Sequence, residues 1–203
     1  MKIIVTGFNA FGGLGANSSE ALVRQLATSK ICETANVITS ILRTEYQFAG
    51  DEIARLVKEI EPDFVVCTGM SSGDPFLKFE QIARNWDCCF SADNVGDLRA
   101  GSVITANGPP LYRASLPYDA YRAALEQQGI SSVLSEAAGG YVCNHVFYRA
   151  CYEIDQRQLN ARCGLVHVPS MDTAGRNHVS QPLAVTIQAV TICLELLLWE
   201  AIS

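Results

Sequence analysis

Asp63-Phe64-Val65-Val66-Cys67-Thr68-Gly69 decides the fold. An unbroken apolar run of this length, ending in glycine, reads as a strand covered on both faces rather than one with a wet side. Just before it, Glu45 to Glu61 reads as a helix stopped by Pro62, whose ring disfavours helical backbone in the residue ahead of it. Before that helix, Ala35 to Leu42 reads as another strand. Strand, helix, strand at this spacing predicts an α/β architecture, with functional residues where strands run out into loops.

Towards the N-terminus, Lys2 to Thr6 is a short β-branched run ending at Gly7, an inner strand by the same reasoning. The loop Gly7-Phe8-Asn9-Ala10-Phe11-Gly12-Gly13 follows, and Asn17-Ser18-Ser19-Glu20 caps a helix running to about Ser29. Phe8 and Phe11 on a glycine-rich loop either seal the end of the sheet or cover a ligand. The signatures of a phosphate loop are absent.

Towards the C-terminus, Phe79 to Trp86 alternates roughly with period two, predicting one strand that carries Glu80 towards the loop ends. Asp87 to Pro110 is rich in Gly, Asn and Asp and reads as irregular. Tyr118 to Gln128 predicts a helix, Ser131 to Ser135 a strand, and Gly164-Leu165-Val166-His167-Val168-Pro169 a further strand. Ser180-Gln181-Pro182 starts a last helix, apolar from Leu183 to Ile202. Its length raises the question of a membrane, but Gln188, Glu195 and Glu200 interrupt it. A core helix, with one face open to an oligomer contact, is the expectation.

The chain has 203 residues, 49% hydrophobic and 18% charged, which excludes disorder as its ground state and predicts one domain over residues 1–203. Fifteen basic residues against twenty-one acidic ones give −6, which argues against nucleic acid or an anionic membrane as the partner. Met1 to Gly7 is too short for a secretory apolar segment, and eight cysteines without a C-x-x-C pair suggest reduced, separate thiols. A cytoplasmic protein is expected.

One stretch carries chemistry. In Gly139-Gly140-Tyr141-Val142-Cys143-Asn144-His145 two glycines turn the chain, and a helix running to about Glu153 places Cys143 in its first turn. Unpaired backbone N–H groups there favour a thiolate and offer themselves to an oxyanion. A buried structural cysteine is the common alternative. A nucleophilic thiol needs a base, and the chain offers three histidines. His145, two residues on, does not share a helix face with Cys143. His167 lies near the end of the strand following the Cys143 helix, where adjacent strands of one sheet would bring loop ends together, and His178 lies in a polar loop. Glu80 would orient the base, or else pair with Arg84.

These stretches resemble the pyroglutamyl peptidase type I family, cysteine peptidases that remove an N-terminal pyroglutamyl residue. The resemblance rests on Val5 to Gly13 with Asn17, on Phe79 to Asn85, on Ala138 to His145 and on Gly164 to Pro169, four motifs spread over nearly the whole length. It implies Cys143 as nucleophile, His167 as acid and base, and Glu80 as third member. Phe8 and Phe11 would enclose the lactam ring, with Asn17, Met70, Phe90 and Val142 on the substrate side. It further implies an open three-layer α/β/α sandwich around a twisted, mostly parallel mixed sheet, homo-oligomers, a small peptide or acyl-amide substrate, and neither metal nor organic cofactor.

The chain also departs from the family. Asp74 and Phe90 stand where the family carries arginines, Ala10 stands for proline, and Ala137-Ala138-Gly139 replaces Ser-Ala-Gly. If Asp74 and Phe90 faced the acyl pocket, it would lose donors to carbonyl oxygens. Pyroglutamyl cleavage would then be slow, and a different acyl or cyclic amide substrate, hydrolysed or transferred, would be the alternative.

Overall fold

The computed structural model describes residues 1–171 and 180–200, so His178 lies outside the described residues. Its elements, in chain order, are β1 (Ile3–Phe8), α1 (Ser18–Ala27), α2 (Lys30–Thr34), β2 (Val37–Leu42), α3 (Tyr46–Ile60), β3 (Phe64–Ser71), β4 (Leu77–Glu80), β5 (Ile82–Arg84), β6 (Asp87–Cys88), β7 (Ala100–Ser102), β8 (Leu111–Arg113), α4 (Tyr118–Gln127), β9 (Ser132–Ser135), α5 (Val142–Gln156), β10 (Arg162–Pro169) and α6 (Leu183–Glu200). The central sheet has the order β2-β1-β3-β10-β4-β9. Its pairings are parallel except for β10 against β4.

Because strand side chains alternate between faces, the sheet feeds two cores. Ile3, Val5, Phe64, Val66, Phe79, Val166 and Val168 point to one side and meet α1, α4 and α6. Ile4, Val65, Cys67 and Leu165 point to the other and meet α3 and α5. The result is the mixed, mostly parallel three-layer arrangement expected. Long and mostly apolar, α6 could cross a bilayer by length and composition alone. It packs as a core helix: Thr186, Ala189, Val190, Cys193, Leu194 and Leu197 are buried, the spacing of one helix face.

The sequence reading needs three corrections. Phe79 to Trp86 is two strands, because the chain leaves the sheet at Gln81 and Ile82–Arg84 pairs with β8 instead. The Asn144 side chain holds that departure by accepting from Arg84 N at 2.9 Å and donating to the Arg84 and Trp86 carbonyls at 3.0 and 3.1 Å. The strands on either side of the Cys143 helix, β9 and β10, are not neighbours, since β4 lies between them and runs against β10. The stretch after Asp87 also carries a short hairpin, β6 with β7, fixed by Asp93. This carboxylate accepts from Tyr46 N at 2.9 Å, where Glu45 makes no side-chain cap, and from Val95 N and Asp97 N at 3.0 and 2.9 Å.

Candidate active site

Gly69, near the end of β3, pairs in register with His167 of β10, and both face the side of the sheet where α5 packs. Cys143 is the second residue of α5, whose N-cap Tyr141 provides no side-chain cap. The first-turn N–H groups are therefore left to a ligand. A methyl group built on Gly69 would lie 2.7 Å from the Cys143 sulfur and 3.3 Å from His167 Cδ2. The missing side chain at 69 is what lets thiol and imidazole close over the strand. Glycine at 140 has a similar cause, as a Cβ there would run into the Cys88 carbonyl.

Glu80 ends β4, and the antiparallel pairing of β4 with β10 sets it diagonally from His167 on the same face. His167 Nδ1 lies 2.8 Å from Glu80 Oε1, and both residues are buried. Burial alone would depress the imidazole pKa, but its hydrogen bonds to Cys143 and Glu80 outweigh that and raise it to about 9. Among the described residues Glu80 Oε2 has no hydrogen-bond partner, so the carboxylate is committed to the histidine through one oxygen.

A cavity of about 110 Å³ opens on this pair, lined by Phe8, Phe11, Asn17, Thr44, Met70, Ala138 and Tyr141, with Cys143 and His167. It is far smaller than the roughly 300–1,000 Å³ of ordinary ligand pockets, so it holds one small group. Phe11 and Tyr141 have their ring centroids 5.8 Å apart. Asn17 spends its amide on the loop, donating to Asn9 O at 3.1 Å while accepting from Ser19 N at 2.9 Å.

Cys143, His167 and Glu80 come together, and Phe8, Phe11, Asn17 and Met70 line the cavity. Val142 and Phe90 do not: Val142 is buried in the core beneath, and Phe90 is 91% exposed on the loop after β6. Asp74 is outside too, in an ion pair with Lys78 at 2.6 Å. Neither Asp74 nor Phe90 therefore faces the cavity, the condition on which the expected change of pocket character rested. Sequence reasoning missed Thr44, Ala138 and Tyr141. Tyr141 stood in the quoted glycine motif, and Thr44 follows a strand end beside β1, where the rule for α/β sheets places ligands.

His145 points away from Cys143, as its spacing predicts. Its Nδ1 lies 2.8 Å from the buried Asp87 Oδ2, which also accepts from Arg99 at 2.8 Å. Its ring nitrogen also explains Gly50, where a Cβ would collide with it. All eight cysteines are free. Burial holds the Cys163 thiol well above the usual range, with Cys151 and Cys67 beside it.

A thiol at a helix start, facing a carboxylate-bound imidazole on an α/β sheet, is the arrangement of a cysteine hydrolase. The family model for pyroglutamyl peptidase matches residues 1–200. A pyrrolidone-carboxylate peptidase of Streptococcus pyogenes is 34% identical over 171 residues, 84% of this chain and 79% of the relative. One from Bacillus cereus is 29% identical over 180 residues, 89% of this chain and 83% of the relative. A mutant pyrrolidone carboxyl peptidase from Pyrococcus furiosus superposes with a TM-score of 0.92 at 28% identity, covering 98% of this chain and 99% of that one. Pyroglutamyl peptidase I of Bacillus amyloliquefaciens gives 0.86 at 28% identity over 95% and 94%. The chain belongs to the pyroglutamyl peptidase family and is a cysteine-type omega peptidase.

Proposed function

We propose that this protein hydrolyses the amide after an N-terminal pyroglutamyl residue, with Cys143 as nucleophile, His167 as acid and base, and Glu80 as the group that orients His167. His167 draws the Cys143 proton, and the sulfur attacks the acyl carbonyl. First-turn N–H groups of the Cys143 helix receive the oxyanion. The imidazolium then gives its proton to the departing amine as the C–N bond breaks. Water, losing a proton to His167, attacks the thioester, and the acid leaves as the thiol reforms. Phe8, Phe11 and Tyr141 offer flat walls to a five-membered ring.

The observation that carries this reading is the His167 ring, bonded to Glu80 through Nδ1 and facing Cys143 across the open Gly69. Eight free thiols favour a reducing compartment, so the reading includes a cytoplasmic setting. It also includes assembly into a homo-oligomer. The test is to mix the protein with a pyroglutamyl–aminocoumarin and quench on the millisecond scale. Intact-mass analysis should find the acyl group on the Cys143 peptide and none on Cys143→Ala. Turnover persisting in Cys143→Ala would refute the assignment.

A further inference from the structure

The cavity holds only the acyl group, so whatever is joined through the scissile amide has to lie on the rim outside it. That rim includes a loop fixed beside the mouth at four points. Cys88 N donates to Gly140 O at 2.9 Å, and the Tyr141 hydroxyl donates to Ala92 O at 3.0 Å. Asn94 N donates to Thr44 O at 3.0 Å, and its side chain donates to Ala10 O at 2.9 Å. Thr44 and Tyr141 line the cavity themselves, and Gly140-Tyr141 lead directly into the turn that carries Cys143. Between the Cys88 and Ala92 attachments stands Phe90, 91% exposed, more than any other large apolar side chain among the described residues.

We propose that Phe90 is the contact for the leaving-group side of the substrate, selecting peptides with an apolar or aromatic residue directly after the scissile bond. The inference rests on the hydrolase reading above. A ring held in water beside an acyl-sized cavity gains only by being covered, and the residue joined to the acyl group is what a bound peptide brings there. The acyl cavity and the rim then read different parts of one substrate. The loop's four attachments hold the backbone on either side of Phe90, so little loop ordering remains to be done on binding.

The test compares pyroglutamyl-Phe-amide with pyroglutamyl-Ser-amide on the intact protein and on Phe90→Ser. The wild type should favour the Phe peptide by about tenfold in kcat/KM, the scale of a modest apolar contact. In Phe90→Ser that ratio should fall towards one. A wild-type ratio near one, or a ratio unchanged in Phe90→Ser, would overturn the proposal. So would dissociation of an oligomer by Phe90→Ser in light scattering, which would give the ring to a second copy of the chain. The same two peptides are also scored by how well they protect Cys143 from iodoacetamide, a readout that needs no turnover. Protection without turnover would sink the hydrolase reading while still giving the Phe-to-Ser ratio that judges Phe90. No protection by either peptide would overturn both.

Discussion

Gly69→Ala is the sharpest perturbation of the site, because it adds one methyl group and removes nothing. The new Cβ would lie 2.7 Å from the Cys143 sulfur and 3.5 Å from His167 Nε2. Ordinary non-bonded carbon contacts sit at about 3.5–4.0 Å, so the sulfur has to retreat by about 1 Å. The strand is part of a six-stranded sheet and resists displacement, whereas the cysteine moves by rotating one torsion. A misplacement of about 1 Å at a reacting atom costs about a hundredfold in rate, or roughly 2.7 kcal/mol. The assay is kcat/KM with a pyroglutamyl–aminocoumarin, read beside the rate of Cys143 alkylation and the thermal midpoint. Both rates should fall while the midpoint stays close to wild type. Activity within about threefold of wild type would refute the argument that the thiol and imidazole must meet over a bare strand.

Five further outcomes are expected. Limiting iodoacetamide should alkylate Cys143 before the exposed Cys88, as peptide mass mapping would show; Cys88 first would count against the nucleophile. His167→Ala should lose about two to four orders of magnitude in turnover with the fold retained by circular dichroism. The folded pKa of His167 is about 9, above its unfolded value, so its contribution to stability is complete below about pH 6.5 and is lost as pH rises through 9. Denaturant midpoints should fall across that window in the wild type and not in His167→Ala, and kcat/KM should lose its acid form near pH 9. Glu80→Gln, which keeps the shape and removes the charge, should move that alkaline limb down by about one to three units. Asp93→Ala removes three accepted hydrogen bonds, including the one at the start of α3, and should cost about 1–2 kcal/mol in chemical denaturation.

Much of this was legible in the chain. Phe64 to Gly69 and Glu45 to Glu61 are long and strongly patterned, and they became β3 and α3 almost to the residue. Asn17 announced its cap, and the Cys143 helix followed its glycines. What failed was short or non-local. The three residues of β8 have no period to read, and Gln81 interrupts an alternation that continues on paper. The break is imposed by Asn144, 60 residues away from Arg84 in the chain. Cys143, His167 and Glu80 could be nominated, but their meeting depends on β4 running against β10, which no spacing reveals. That Phe90 lies outside the acyl cavity was hidden for a related reason. A position matched along a loop says nothing of where its side chain points, and here it points to water.

The place of β10 in the sheet has a consequence for how the molecule is made. It is the last sheet strand among the described residues and lies inside the sheet, hydrogen-bonded to β3 on one side and β4 on the other. During synthesis the first 160 residues emerge with two facing strand edges and no partner for either. The bond between Glu80 and His167 closes a loop of 87 residues, and the Tyr46 hydroxyl reaches Gly140 across 94. Such long closures are slow, and open edges invite the wrong neighbour in the meantime. Recovery of hydrolysis on refolding should therefore lag the recovery of helix signal. Chains ended before Arg162 should collect as aggregates rather than as a weaker enzyme.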